Sequence, residues 1–262
     1  LTTLGENITA LEVQGSFDDC QEMVKTAFLD KDITSTRKLT SANSINVARW
    51  LPQSLYYIMA YRDFKKLDKR GPLVFSVPSG NFGNICAGMV AHRMGMPVAK
   101  FIAAVNSNKT IPHFMQSGMY EPKNTLSTIS NAMDVSDPSN FVRILELFDN
   151  ERSSLSTLLS SYSFCDNTTR ASIRELKEAY SYIADPHGAI GYAGLQKYLE
   201  HHPEAFGIFL ETAHPIKFLP AVAPIVGEIK NVPAQIAQLL EKTKQAIPIK
   251  NYAELKTFLT NT

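Results

Sequence analysis

The residues best suited to chemistry form a glycine-containing turn, Ser79-Gly80-Asn81-Phe82-Gly83-Asn84. Because this turn lies between an apolar strand and a helix, its backbone N–H groups and the positive end of the helix dipole could bind a phosphate. The chain lacks the G-x-G-x-x-G pattern of dinucleotide sites and the G-K-[ST] of Walker loops. A Gly-x-x-Gly turn without its own lysine suits a phosphate monoester. The alternative is an ordinary strand–helix turn that binds nothing.

A second candidate is Thr212, in the segment Glu211-Thr-Ala-His-Pro215 that follows a predicted strand. Ligands of open α/β sheets bind beyond the carboxyl ends of the strands. If both strands belong to one parallel sheet, Thr212 lies at the same edge as Gly80–Asn84, where its hydroxyl could contact a neutral ring nitrogen. The alternative, favoured by the segment alone, is that Thr212 caps a helix that starts near Pro215.

A third candidate is the polar cluster Asn43, Ser44, Asn46 and Arg49. On a helix, Asn46 and Arg49 share a face, and Asn43 and Ser44 stand at its N-terminal end. This combination suits a substrate phosphate. The alternative is an N-cap followed by a solvated helix face, and the segment alone favours it.

Other chemistries have little support in the sequence. The six histidines form no H-x-x-x-H or H-E-x-x-H pair, and we expect no metal site. There is no G-x-S-x-G motif of the α/β-hydrolases. We interpret His113 and His187 as structural or surface residues.

The elements that must position these residues alternate between strands and helices. Apolar segments predict strands at 73–78, 98–105 and 206–210. Helical patterns are predicted between them and over 45–66, where Pro52 should break the helix. Further helices are predicted at 141–148, 168–180, 189–199 and within 220–258. This order predicts an α/β fold with an open, mostly parallel sheet and helices on both faces.

Composition excludes several classes of protein. The 262 residues include 44% hydrophobic and 19% charged residues, which is typical of a globular protein. The formal charge of +1 gives no sign of a nucleic-acid partner. No apolar run is long enough to span a membrane. The three cysteines are far apart and form no C-x-x-C, so we expect a reducing, cytoplasmic environment.

Several segments, taken in order, resemble the threonine synthase family, pyridoxal-phosphate enzymes of the fold type II (tryptophan synthase β-like) group. The matching segments are SANSIN at 41–46, SVPSGNFGN at 76–84, FIAA at 101–104, SNAMDVS at 130–136, DPHGA at 185–189 and TAHPIKF at 212–218.

The resemblance implies a fold, a reaction and a set of site residues. The reaction is that of a lyase in threonine biosynthesis, which converts O-phospho-L-homoserine and water to L-threonine and phosphate. The cofactor is pyridoxal 5'-phosphate, with Gly80–Asn84 around its phosphate and Thr212 at its pyridine nitrogen. Asn43, Ser44, Asn46 and Arg49 would lie near the substrate.

Two family features do not occur in the chain, the F-K-D segment and the Ser-Gly-Asp-Thr-Gly-like turn that follows it. The family's cofactor lysine lies in an F-K-D segment, whereas the nearest match is Phe64-Lys65-Lys66. We therefore expect the chain to be the C-terminal portion of such an enzyme, inactive alone because the Schiff-base lysine is absent. Residues 1–40 would be a remnant of the smaller domain, and 41–262 the large cofactor domain. We also expect exposed apolar surface that favours self-association.

Two other functions remain open. The chain could belong to another fold type II enzyme, such as a serine or threonine dehydratase, which would share the glycine turn but would not need the Asn43–Arg49 cluster. It could also be a non-catalytic module that binds a phosphate ligand.

Overall fold

The computed structural model describes residues 2, 7–67, 71–229, 236, 238–239 and 241–261. The chain forms two compact units, one of Leu1–Thr40 with Ile229–Thr262 and one of Ser41–Glu228. The chain passes from the first unit to the second after residue 40, which is the domain boundary predicted from the sequence. The grouping of 229–262 with the first unit was not expected from the sequence. That the first unit is a remnant of a smaller domain stays a prediction.

The helices and strands below are numbered in chain order. They are β1 (Leu11–Val13), α1 (Phe17–Leu29), α2 (Lys31–Thr34), α3 (Val47–Trp50), α4 (Ser54–Phe64), β2 (Leu73–Pro78), α5 (Gly83–Arg93), β3 (Lys100–Val105), α6 (Thr110–Ser117), α7 (Phe141–Leu147), α8 (Arg152–Leu158), β4 (Leu159–Ser163), α9 (Asp166–Tyr180), α10 (Pro186–Leu199), β5 (Phe206–Phe209), α11 (Leu219–Val226), β6 (Ile247–Ile249) and α12 (Tyr252–Asn261).

The smaller unit is built on a two-stranded parallel pair, β1 with β6, in which Leu11 is opposite Ile247. Hydrogen bonds from Tyr252 and Lys256, on α12, reach Asp30 at the start of α2. These bonds lower the pKa of Asp30 to about 2, so its carboxylate is charged at neutral pH.

The larger unit contains a four-stranded sheet in the order β4-β3-β2-β5, and every pair is parallel. The predicted parallel α/β fold is therefore confirmed. Strand β4 and the helix α8 that runs directly into it were not predicted. The sequence of β4, LSSYS, has no apolar run, because this strand lies at one edge of the sheet.

The central strand β2 is buried on both faces, so its apolar residues do not alternate with polar ones. Phe75 packs with residues of α4 and α5, including Tyr57. Val74 points to the other face and packs against Leu195 of α10. Helices therefore cover both faces of the sheet, as predicted.

Proline determines how the predicted helix over 45–66 is divided. It forms α3, a 3₁₀ turn at Leu51–Gln53 that contains Pro52, and then α4. Within 220–258, where only helices were predicted, the structure has helix α11, strand β6 and helix α12. Helix α12 begins only at Tyr252. The stretch at 230–235 lies outside the described residues. No helix among the described residues has the length and apolar character to cross a membrane.

Helix α10 lies close to the sheet because it carries glycines on the face that meets β2 and β3. A Cβ atom built on Gly194 would lie 2.7 Å from the Cβ of Ala104 and 2.9 Å from Ser76 Oγ. Both neighbours belong to strands of the sheet and cannot move away easily.

We expect Gly194→Ala to lower the free energy of unfolding by about 1–2 kcal/mol, because overpacking outweighs the better helix propensity of alanine. Gly191→Ala is the comparison on the same helix, since its nearest contact would be 3.2 Å to Pro78 Cδ, which is tight but less severe than the 2.7 Å contact at Gly194. Urea denaturation of both variants tests this. Equal stability of the two variants would show that the close approach at Gly194 does not limit packing.

Candidate functional site

The glycine turn connects the end of β2 to the start of α5. The Ser79 N–H donates to the Ala104 carbonyl (2.8 Å), and Ser79 Oγ donates to the Val77 carbonyl (2.9 Å). These bonds fix the turn to strands β2 and β3. Phe82 precedes α5 in the left-handed conformation, with φ of 60° and no side-chain cap on the helix. The first N–H groups of α5 are therefore donors that the helix itself does not use.

The left-handed conformation at Phe82 is uncommon for a residue with a side chain. Its ring is buried and packs edge-on against Phe141, with ring centroids 5.5 Å apart. Packing of the ring thus holds the backbone in a conformation that brings α5 sharply out of the turn.

Glycine is required at two positions because other backbone segments come close. A Cβ on Gly80 would lie 2.8 Å from the Met133 Cα, and a Cβ on Gly83 would lie 3.1 Å from the Ser44 Cβ. The turn is therefore packed between the 3₁₀ segment Asn131–Met133 and the loop before α3.

Asn81 joins the turn to two other segments by hydrogen bonds. Its Nδ2 donates to Ser44 Oγ (2.9 Å), and its Oδ1 accepts from the Ser139 N–H (2.6 Å) and Ser139 Oγ (3.0 Å). Asn140 Nδ2 donates to the Asn81 carbonyl (2.9 Å) and to Ser44 Oγ (3.1 Å). The amide groups of Asn81 and Asn140 thus fix the position of Ser44 beside the turn.

Arg143 completes this framework, and the sequence analysis did not identify it. Its guanidinium donates to the carbonyls of Ser44 (2.9 Å) and Ile45 (2.7 Å) and lies 5.8 Å from the ring centroid of Trp50. These contacts join residues about a hundred positions apart in the chain, which no local pattern reveals.

A cavity of about 290 Å³ opens at the carboxyl ends of the strands, between the glycine turn and the segment after β5. As expected, Thr212 and Gly80–Asn84 lie at the same edge of the parallel sheet. Ser44 also lines the cavity. The lining residues that were not predicted as site residues include Trp50, Ala132, Met133, His187, Lys217 and Phe218.

Some predicted site residues do not reach this cavity. Asn43, Asn46 and Arg49 are absent from its lining. Asn46 caps α3 by accepting the Ala48 N–H (3.0 Å), and the exposed Arg49 donates to the Ala42 carbonyl (3.1 Å). Their placement at the substrate stays a prediction. The Asn84 side chain is bonded within the protein, since its Oδ1 accepts a hydrogen bond from the buried Tyr57 hydroxyl (2.6 Å).

Thr212 is not the cap of the following helix. The 3₁₀ helix Pro215–Phe218 is capped by His214, whose Nδ1 accepts the Ile216 N–H (3.2 Å). The Thr212 hydroxyl is therefore not required for capping, the role that the segment alone favoured.

A larger cavity of about 810 Å³ lies beside β3 and β4, and none of the predicted site residues lines it. We assign the site to the smaller cavity for two reasons. It contains the glycine turn at the start of α5, and Thr212 and Ser44 line the same space.

A cluster of buried ionisable groups stands at the N-terminus of α10, next to the cavity. Asp185 caps the helix, and its Oδ1 accepts the His187 N–H (2.8 Å) and contacts His187 Nδ1. Glu211 Oε1 accepts the Asp185 N–H (2.9 Å). Burial, together with the nearby Asp185 carboxyl, raises the pKa of Glu211 to about 9. No group of three or more potential ligand side chains suited to a metal ion occurs among the described residues.

Comparison with known proteins gives consistent matches. The sequence profile of the family described as Pyridoxal-phosphate dependent enzyme matches residues 1–207, and that of Threonine synthase, C-terminal, matches residues 188–259. A threonine synthase of Buchnera aphidicola subsp. Schizaphis graminum is 43% identical over 98% of this chain and 59% of its own length. The threonine synthase of Escherichia coli is 45% identical over 90% of this chain and 54% of its own length.

Solved structures agree. The crystal structure of threonine synthase from Escherichia coli superposes with a TM-score of 0.92 at 41% identity, and covers 99% of this chain and 60% of that one. The pyridoxal-phosphate-bound threonine synthase from Brucella melitensis gives a TM-score of 0.83 at 30% identity, covering 99% and 61%. The chain thus spans about three-fifths of the length of these relatives. With a family profile matching well over half of its residues, the chain belongs to the pyridoxal-phosphate dependent enzymes, and its resemblance to the threonine synthases is confirmed.

Proposed function

We propose that this chain forms the cofactor-binding part of a threonine synthase, which converts O-phospho-L-homoserine and water to L-threonine and phosphate. The observation that carries the proposal is a single cavity lined by the glycine turn, Thr212 and Ser44. Relatives named threonine synthase match nearly the whole chain, which favours this substrate over that of a dehydratase.

The residues of the cavity fit pyridoxal phosphate. Backbone N–H groups at the start of α5 would hold the phosphate, since a helix N-terminus favours an anion. Gly80 lets the turn pack against the backbone at Met133 with no side chain between them. The Thr212 hydroxyl would meet the pyridine nitrogen, and a hydroxyl, unlike a carboxylate, does not favour a full positive charge on that nitrogen. Stabilisation of carbanions by an electron-accepting ring is the chemistry that the cofactor supplies when bound.

Other residues of the cavity would orient and enclose the ligands. Phe218 and Met133 give apolar walls that exclude water. Ser44 is held at the cavity by Asn81 and Asn140, so it would contact the substrate before Asn43, Asn46 or Arg49. We propose a small-molecule substrate and, from the cysteine pattern, a cytoplasmic location.

We expect Gly80→Ala to weaken binding of pyridoxal phosphate by about tenfold or more, because the added methyl group displaces the turn from Met133. Fluorescence titration with pyridoxal phosphate and with pyridoxal measures the effect. Binding of pyridoxal, which lacks the phosphate, should change much less.

Arg49→Ala is the control for that experiment, because Arg49 is exposed and lies outside the cavity lining. We expect its affinity for pyridoxal phosphate to equal that of the unsubstituted chain. An equal loss for both cofactor forms in Gly80→Ala would place the phosphate elsewhere.

Covalent attachment of the cofactor can be tested by borohydride reduction and peptide mapping. The chain contains no F-K-D segment, but the structure adds Lys217 to the cavity lining. We expect only scattered, substoichiometric labelling and no turnover of O-phospho-L-homoserine by this chain. Stoichiometric labelling of Lys217 would contradict this and make Lys217 the attachment site.

We further propose that the exposed apolar face of α4 favours self-association. Leu55, Ile58 and Met59 lie on one side of the helix and are 59%, 38% and 52% exposed. The double variant Leu55→Lys/Met59→Lys should sediment with a lower average mass than the unsubstituted chain. Met94→Lys, at an exposed position on a different helix end, is the control. A monomeric unsubstituted chain would refute the proposal.

A further inference from the structure

The N-terminus of α10 joins the two walls of the cavity through the buried side chains of Asp185 and His187 and the half-buried side chain of Glu211. Glu211 lies directly before Thr212, and its Oε1 accepts the Asp185 N–H (2.9 Å). Its other oxygen, Oε2, is buried without a partner, as is Asp185 Oδ2. A Cβ atom on Gly188 would overlap the Glu211 carboxyl group. The Glu211 side chain therefore lies flat against the first turn of α10.

The two carboxyl groups differ in protonation. Burial and the Asp185 carboxyl raise the pKa of Glu211 to about 9. Burial also acts to raise the pKa of Asp185, but hydrogen bonds with His187 and Glu211 lower it below its usual value. At neutral pH, Glu211 is therefore a neutral acid beside a charged Asp185. Such an acid can donate, which matches the unpartnered oxygen on each carboxyl group.

His187 connects the same helix end to the opposite wall. Its Nδ1 contacts Asp185 Oδ1, and its Nε2 accepts the Ala132 N–H (3.2 Å). These partners assign the neutral ring with its proton on Nδ1. The segment that contains Ala132 is the one packed against Gly80. His187 thereby connects α10 to the segment that supports the glycine turn.

We propose that Glu211 is a positioning residue that holds Thr212 against the N-terminus of α10, while Asp185 and His187 hold the segment Asn131–Met133 from the same helix end. That this arrangement serves the cofactor rests on the function proposed above. The arrangement itself rests on the contacts of the chain alone.

The groups that act on Glu211 predict the effect of pH. At the N-terminus of α10, the groups that face Glu211 are Asp185 and His187, which contacts Asp185. The segment before α10 contributes Tyr182, whose pKa is raised by burial and by the charges of Glu211 and Asp185. His214 and Lys217 follow in the segment of Glu211 itself. Above a pH of about 9, Glu211 ionises beside Asp185, and the two negative charges should separate the Thr212 segment from α10.

Hydrogen exchange of backbone amides is the main experiment. The Asp185 N–H donates to Glu211 Oε1, and the Leu210 N–H, just before Glu211, donates to the Ser76 carbonyl. In Glu211→Ala, we expect protection factors at Asp185 and Leu210 to fall about tenfold or more, whereas Glu211→Gln, which keeps a neutral donor, should retain them within a few-fold. In the unsubstituted chain, protection there should fall as the pH passes 9, and Glu211→Gln should lack this fall.

Glu175→Gln is the matched control. Glu175 accepts a hydrogen bond from the Tyr192 hydroxyl of α10 (2.7 Å) but does not line the cavity, so its variant should leave Asp185 and Leu210 protected. Unchanged protection in Glu211→Ala would overturn the proposal. Equal loss in Glu211→Gln and Glu211→Ala would overturn the role of the neutral acid.

The unfolding free energy provides a second readout. The folded chain retains a proton on Glu211 that the unfolded chain releases above its ordinary pKa of 4.5. Stability should therefore fall as the pH rises from about 5 to about 9, and Glu211→Gln should show a smaller fall over that interval. An identical pH dependence in both proteins would contradict a protonated Glu211.

Titration with pyridoxal phosphate separates this inference from the proposed function. Glu211→Ala should bind the cofactor about tenfold more weakly than Glu211→Gln. If the unsubstituted chain does not bind the cofactor, the proposed function fails, and the hydrogen-exchange result decides the inference by itself.

Discussion

The burial of β2 on both faces is the constraint on which the rest of the larger unit depends. This strand pairs with β3 and β5, and packs against α5 and α4 on one face and α10 on the other. Its carboxyl end therefore has a fixed position, and the glycine turn begins from a rigid support. A site that needs several backbone N–H groups aimed at one anion depends on such support, because small displacements weaken several hydrogen bonds together.

Polar side chains fix the loop around Ser44, which does not contact the sheet through strand hydrogen bonds. Asn81, Asn140 and Arg143 hold the loop around Ser44 through hydrogen bonds to its hydroxyl and to the backbone of Ser44 and Ile45. Trp50 packs under Arg143 with its N–H directed to no protein acceptor. These contacts fix the loop around Ser44 beside the glycine turn, although the two segments are far apart in the sequence.

The sequence predicted those parts of the molecule that local patterns determine. The strands β2, β3 and β5, the turn at 79–84 and the parallel arrangement all follow from apolar runs and glycine spacing. Strand β4 was missed because an edge strand tolerates LSSYS, and no turn residue separates it from α8. Arg143 and His187 were missed for a different reason. Their roles come from contacts between segments that are 55 to 99 residues apart, where one sequence gives no signal.

The charges around the cavity form a consistent arrangement when Glu211 is neutral. Asp185 is then the ionised carboxyl group of the pair. Its negative charge is stabilised by the N-terminus of α10 and by the hydrogen bond that it accepts from the His187 N–H. A second negative charge on Glu211, one residue from Thr212, would favour a protonated ring nitrogen in any ligand held there. In the placement proposed above, the hydroxyl of Thr212 would favour the neutral ring. Burial of Glu211 thus has the same electrostatic effect as the choice of threonine at position 212, and the two residues act together because they are adjacent in the chain.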